Sequence, residues 1–183
     1  MKKYIKMVLV TLALSILSSC TFAKSWKIDV DESLYTSYGI DLEIFADGVV
    51  DRLSWLYDRW DVEFSHSVGD GTIEIYYKSG SGIIGRAMFW SKNVTSSNII
   101  DCGVFVTDGL YSSLHLHTDY MKGWLCGVIA AHEIGHTYLL KHHNGSKLYI
   151  MNKYVPYRYN EPIWSEASKR QLDKVLGVKS DEP

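Results

Sequence analysis

The eight residues Trp124-Leu125-Cys126-Gly127-Val128-Ile129-Ala130-Ala131 are apolar on almost every face of a helix, and they run without a break into His132-Glu133-Ile134-Gly135-His136. A helix that is apolar all round is a buried one. Any fold for this chain must therefore place this helix inside and then accommodate two imidazoles and a carboxylate at its C-terminal end. Burying such groups is costly unless they are paired, solvated or bound to something. His132 and His136 are four residues apart, so their rings project from one face, one turn from each other. Two histidines in that relation can bind one metal ion at about 2.0–2.1 Å without straining the backbone. Glu133 adjoins the first of them and suits a general base acting on a metal-activated water, not a ligand. An H-E-x-x-H string also arises by chance on solvated helices, and the apolar setting is what separates this one from those.

Around this helix, expected from Asp119–Lys122 through Leu140, the pattern reads as one folded domain. Residues 24–40 look like an extended, polar lead-in. Leu42, Phe45, Val49, Leu53, Leu56 and Trp60 recur at spacings of three and four, which predicts an amphipathic helix with Asp41 as its cap. Strands are expected at Val62–Ser67, Thr72–Lys78, Arg86–Ser91 and Ile99–Thr107, with a loop rich in asparagine and serine between the last two. Ser165 opens a final helix that Gly177 ends. The fold class expected is α+β with α/β character, a twisted mixed sheet packed on helices with a helix at the C-terminus.

The start of the chain is of another kind. Lys2, Lys3 and Lys6 precede the apolar run Met7–Leu17, and small residues lead to Cys20, which is the order of an export signal. The run is shorter than the roughly 20 residues a bilayer span needs. Leu17-Ser18-Ser19-Cys20 resembles the lipobox of bacterial lipoproteins. That resemblance implies a signal peptide at residues 1–19, a lipidated Cys20 as the new N-terminus, a tether over 20–40 and a membrane-anchored protein of the cell envelope. Cleavage after Ala23 is the alternative and would give a secreted or periplasmic protein. An oxidising compartment would let Cys102 and Cys126 pair, and two buried thiols are the other possibility. Nineteen basic and 21 acidic residues, a net charge of -2, give no basic excess for nucleic acid. A monomer is expected.

A third histidine follows the first at ten residues: His132-Glu133-Ile134-Gly135-His136-Thr137-Tyr138-Leu139-Leu140-Lys141-His142. This stretch resembles the signature of the metzincin clan of zinc endopeptidases, most closely its matrixin-like members, H-E-x-x-H-x-x-G-x-x-H. Tyr149-Ile150-Met151-Asn152 resembles the methionine turn of that clan, and Trp164-Ser165-Glu166 its terminal helix. The motifs cover roughly residues 120–177. The resemblance implies a zincin fold over residues 41–179 and a Zn2+ ion held by His132, His136 and His142. It also implies Glu133 as the catalytic base and a protein or peptide substrate bound extended along an antiparallel edge strand. Gly85–Ser91 and Val104–Asp108 are both candidates for that edge. One departure stands out: Leu139 occupies the family's glycine position, where the chain must turn.

Two other readings compete. One keeps the helix but takes Glu161 or Glu166 as third ligand, as in gluzincins. The other is a surface lipoprotein that holds zinc for stability and binds a partner. His143 is read as a neighbour outside the ligand set. Tyr149, Tyr154 and Tyr157 are candidates for steadying an oxyanion, although such tyrosines more often pack. His115 and His117 are too few for a second zinc. Asp101-Cys102-Gly103 resembles a cysteine switch only superficially, and no inhibitory prodomain is expected.

Overall fold

A computed structural model describes residues 22–80, 84–89, 100–158 and 161–179. The expected signal peptide and Cys20, the loop over 92–98 and the end of the Arg86–Ser91 strand lie outside the described residues. In chain order the elements are β1 (Ser25–Val30), α1 (Ser33–Tyr38), α2 (Leu42–Leu56), β2 (Glu63–Ser65), β3 (Gly71–Lys78), β4 (Gly85–Phe89), β5 (Ile100–Thr107), α3 (Asp108–Leu114), α4 (Asp119–Thr137) and α5 (Glu166–Leu176). The strands form one mixed sheet in the order β2-β1-β3-β5-β4. β1, β2, β3 and β5 run parallel, and β4 is antiparallel to β5 at the edge.

The first correction concerns residues 24–40. They are not a lead-in outside the folded unit: β1 lies inside the sheet between β2 and β3, and α1 follows it. Trp26 and Ile28 alternate into the core while Lys27 and Asp29 point away. Trp26 donates its indole N–H to the Tyr138 hydroxyl at 2.9 Å, and Tyr138 donates in turn to the Ala23 carbonyl at 2.7 Å. The folded unit thus begins well before residue 41 and is tied to the end of α4.

The core forms between the sheet and the pair α2–α4. Ile73, Ile75, Cys102, Val104 and Val106 on the strands meet Phe45, Val49, Leu53, Val128, Ile129 and Ile134 on the helices in one cluster. α2 begins on Asp41, whose carboxylate accepts from Ile44 N–H, as its sequence requires. α2 and α4 touch backbone to backbone. A β-carbon at Gly48 would collide with the Tyr120 carbonyl, and one at Gly123 with the Phe45 carbonyl. These glycines trade helix propensity for an approach that larger residues forbid. α5 begins on Ser165, which accepts from Ser168 N–H, and ends at Gly177 with φ 79°. Cys102 and Cys126 are buried and not joined to each other.

α4 is shorter than the sequence pattern suggested, ending at Thr137 rather than Leu140. Leu140 N–H returns to the Gly135 carbonyl at 3.0 Å and Leu139 N–H to the His136 carbonyl at 3.0 Å. That pair of bonds is a Schellman ending, whose turning residue needs a left-handed backbone. Leu139 supplies it with φ 65° and is the sole non-glycine residue of positive φ among those described. The turn is therefore built along the backbone path that glycine would take, using leucine. Its side chain is 61% exposed.

Candidate metal centre

The last turn of α4 and the Schellman ending bring His132, His136 and His142 together. Their Nε2 atoms lie 3.2 Å apart in all three pairs. The tautomers follow from what the opposite nitrogens face. His132 Nδ1 lies 2.7 Å from the Ile150 carbonyl and His136 Nδ1 lies 2.9 Å from the Leu140 carbonyl. A carbonyl only accepts, so each Nδ1 carries the proton and each Nε2 is left with a bare lone pair. Two such lone pairs facing each other at 3.2 Å repel, and a cation between them removes the conflict.

The distances suit one. An equilateral triangle of edge 3.2 Å is the base of a regular tetrahedron whose centre lies about 2.0 Å from each corner, the usual metal–imidazole distance. The backbone carbonyls behind His132 and His136 are the outer partners that fix orientation in metal-ligating histidines. The three side chains lie close enough to hold a metal ion. Burial pushes the His132 imidazole down to about 4 and lowers that of His142, with the neighbouring histidine and Lys153 adding to the latter. In both rings burial thus favours the unprotonated form that a metal needs.

Glu133 sits one residue along, 7% exposed and outside the histidine triangle. Strand β4 crosses directly over it. A β-carbon at Gly85 would overlap the Glu133 carboxylate, lying 2.8 Å from its carbon, so glycine is what allows the strand so close. The Ala87 N–H donates to the carboxylate. Burial raises the Glu133 pKa to about 7, and the Ala87 bond opposes that rise. The Phe105 N–H bond to the Ile84 carbonyl sets the phase of the β4–β5 ladder. With that phase the backbone groups of Gly85 and Ala87 point away from β5, along the free edge. Of the two expected edges, Gly85–Phe89 is the one on the outside. Val104–Asp108 begins in β5, which is internal.

Met151 lies beneath the cluster, fully buried. Its sulfur would be 2.6 Å from a β-carbon at Gly135, so the small residue between the two helix histidines is the seat of that methionine. The turn is pinned at both ends: His143 N–H reaches the Met151 carbonyl at 2.7 Å, and Ile150 N–H reaches the Ile163 carbonyl at 2.9 Å. His143 turns its Nδ1 to Gly145 N–H at 3.0 Å and its ring edge to Tyr149, away from the triangle. Glu161 and Glu166 do not join the cluster, and Glu166 is exposed and paired with Lys169 at 2.9 Å. Tyr157 is held by Arg158 and Ser113, and Tyr149 packs on His143. His115 and His117 are exposed and gather no third ligand. Asp101-Cys102-Gly103 is a stretch of β5 with the thiol turned into the core.

Sequence reasoning missed two parts of the site. The contact between Gly85 and Glu133 joins residues 48 positions apart, and nothing local to either signals it. The carbonyls of Leu140 and Ile150 that orient the rings depend on the Schellman ending and on the Met151 turn, neither of which a spacing rule reveals. The chain matches no protein-family model and no curated protein by sequence.

Proposed function

We propose that this protein is a zinc-dependent endopeptidase of metzincin type, with His132, His136 and His142 as the metal ligands and Glu133 as the general base. The observation that carries the reading is the triangle of Nε2 atoms, buried at His132 and exposed at His142, with a buried carboxylate beside it that is not part of the triangle. A purely structural zinc site closes all four positions with protein groups. The strand order β2-β1-β3-β5-β4, with one antiparallel strand at the edge over the site, supports the zincin fold that the motifs implied. The same arrangement weighs against a glutamate as third ligand, because Glu166 is committed to Lys169 on the surface.

Zinc bound to the three histidines would supply Lewis acidity toward a peptide carbonyl and toward water. The chain's own residues account for the rest. The outward N–H and carbonyl of Gly85 and the outward carbonyl of Ala87 offer an edge to which an extended peptide adds as a further strand. Glu133, steadied by the Ala87 N–H, takes a proton from the attacking water on its carboxylate oxygen and passes it to the leaving amine. Ile150 and Leu140 hold the His132 and His136 imidazoles so that neither rotates during the reaction. Export to the cell envelope, with a lipid on Cys20, completes the reading. It is supported by Ala23, whose burial and bond to Tyr138 give it a place in the fold that cleavage after Ala23 would remove.

The test uses the protein from residue 21 onward, with metal content measured beside cleavage of a peptide library. Wild type should bind one zinc ion and cleave, and a chelator should stop it. Glu133→Gln should keep the zinc and lose about a hundredfold or more in kcat/KM. His142→Ala should weaken zinc binding by more than about a hundredfold, since even an outer partner of a ligand is worth 10–100-fold. Full zinc occupancy in the His142 variant would refute the ligand set, and undiminished cleavage by Glu133→Gln would refute the mechanism.

A further inference from the structure

Beyond His142 the chain loops out, returns beneath the cluster at Met151 and loops out again. Between the two arms lies a cavity of ≈ 520 Å³, with Asn144 and Gly145 on one side and Asn152 to Arg158 on the other. It lies near the histidine triangle: Asn144 in its lining is two residues from His142, and Asn152 follows Met151. Lys153 also stands near His142. Val155, Pro156 and Tyr157 give the cavity an apolar wall. Its charged lining is of one sign: Lys147, Lys153 and Arg158, with no carboxylate among the described residues.

None of these three cations forms an ion pair among the described residues. The Arg158 Nε donates to the Tyr157 hydroxyl at 3.0 Å, and that hydroxyl lies 3.4 Å from Ser113 Oγ. The guanidinium is thereby anchored by one edge, and its terminal nitrogens have no hydrogen-bond partner among the described residues. A planar fork held in this way matches a carboxylate, which accepts two parallel N–H bonds. Three like charges around one cavity also repel one another, and an anion entering it relieves that repulsion.

We propose that this cavity is a subsite for a carboxylate of the substrate, so that the enzyme selects peptides with an acidic group beside the bond it cleaves. The inference rests on the endopeptidase reading for its substrate class and on the cavity itself for its charge preference. Two sources can provide the carboxylate, an aspartate or glutamate side chain and the C-terminus of a short peptide.

The experiment uses zinc-loaded protein and three matched libraries of acetylated decapeptides. One is neutral with an amidated end, one carries a single glutamate at varied positions with an amidated end, and one is neutral with a free C-terminal carboxylate. Wild type should cleave one of the carboxylate libraries roughly tenfold better in kcat/KM than the neutral one, and the library preferred names the source. The advantage should shrink as salt rises, since the cations are at the surface. Arg158→Glu and, at the exposed Lys153, Lys153→Glu should reverse the preference toward the same peptides with lysine in place of glutamate. A loss of packing alone would not create that new preference. Equal cleavage of all three libraries, or a preference that both variants retain, would overturn the proposal. If no library is cleaved, the hydrolytic reading fails, and retention of the same peptides on immobilised protein decides the subsite. Roughly tenfold stronger retention of a carboxylate library upholds it, and equal retention of all three overturns it.

Discussion

Replacing Leu139 by glycine should stabilise the protein, and the structure gives the size. A leucine in the left-handed region costs about 1–2 kcal/mol relative to its ordinary conformations. Glycine removes that cost but frees the unfolded chain, which takes back about 0.4–1 kcal/mol. The leucine side chain is 61% exposed, so little burial is lost with it. The net gain should be about 0.5–1 kcal/mol, or roughly 1–4 °C in Tm for a domain of this size. The assay is thermal and urea unfolding of the metal-free protein, with Leu139→Asn and Leu139→Ala alongside. Asparagine tolerates positive φ and should fall between glycine and leucine, whereas alanine keeps the backbone penalty and should match leucine. An order of Gly above Asn above Leu and Ala places the effect in the backbone. A glycine variant less stable than wild type, or an alanine variant as stable as glycine, would refute the strain argument.

Gly85→Ala sets a methyl group against the Glu133 carboxylate; it should reduce cleavage by tenfold or more, in the manner of about 1.4 kcal/mol of misplacement, while zinc content measured by atomic absorption stays unchanged. Burial pushes the Cys102 thiol up and that of Cys126 to about 12, so both should resist alkylation at pH 8 in the native protein and both should react once it is unfolded, as mass spectrometry would show. A disulfide between them would instead leave both unreactive until a reductant is added. A protein that starts at Lys24 loses the Ala23 carbonyl that accepts from Tyr138 and should be less stable than one starting at residue 21 by about 1–3 kcal/mol, the cost of an unpaired buried donor; equal urea midpoints would remove the structural argument against cleavage after Ala23.

Much of the histidine cluster was legible because its signals are local. The step from His132 to His136 is one helical turn, and the apolar run before it fixes the helix as buried. His142 could be read only through the resemblance, because ten residues of separation say nothing until the turn between is known. The helix caps at Asp41 and Ser165 and the stop at Gly177 were also readable, since each is a short-range hydrogen bond or a backbone preference. What was not legible depends on contacts between distant residues. The Gly85–Glu133 approach and the backbone contacts at Gly48 and Gly123 belong to packing between elements. β1 is a different case. Trp26, Ile28 and Val30 alternate with Lys27 and Asp29, so a period of two was present but short, polar on one face and next to the segment that reads as an export signal, and its place inside a parallel sheet is set by pairing with β2 and β3.

That misplaced strand also explains why the site stands where it does. β1 is parallel to β2 on one side and to β3 on the other, and a parallel sheet needs its faces covered, so β1 commits the chain to bring both strands beside it and α2 across the sheet. α2 in turn receives α4 through Gly48 and Gly123, and this contact fixes how far α4 can slide along the sheet. The bonds from Trp26 to Tyr138 and from Tyr138 to Ala23 then tie the end of α4 back to β1. Tyr138 is the residue just before the left-handed Leu139. The strand that looked like a tether therefore anchors the turn that carries His142 to the other two histidines, and a substitution such as Trp26→Phe should be felt in metal affinity although Trp26 touches no ligand. Stability and metal affinity falling together would bear out that link, and a variant that melts early yet binds zinc as tightly as wild type would break it.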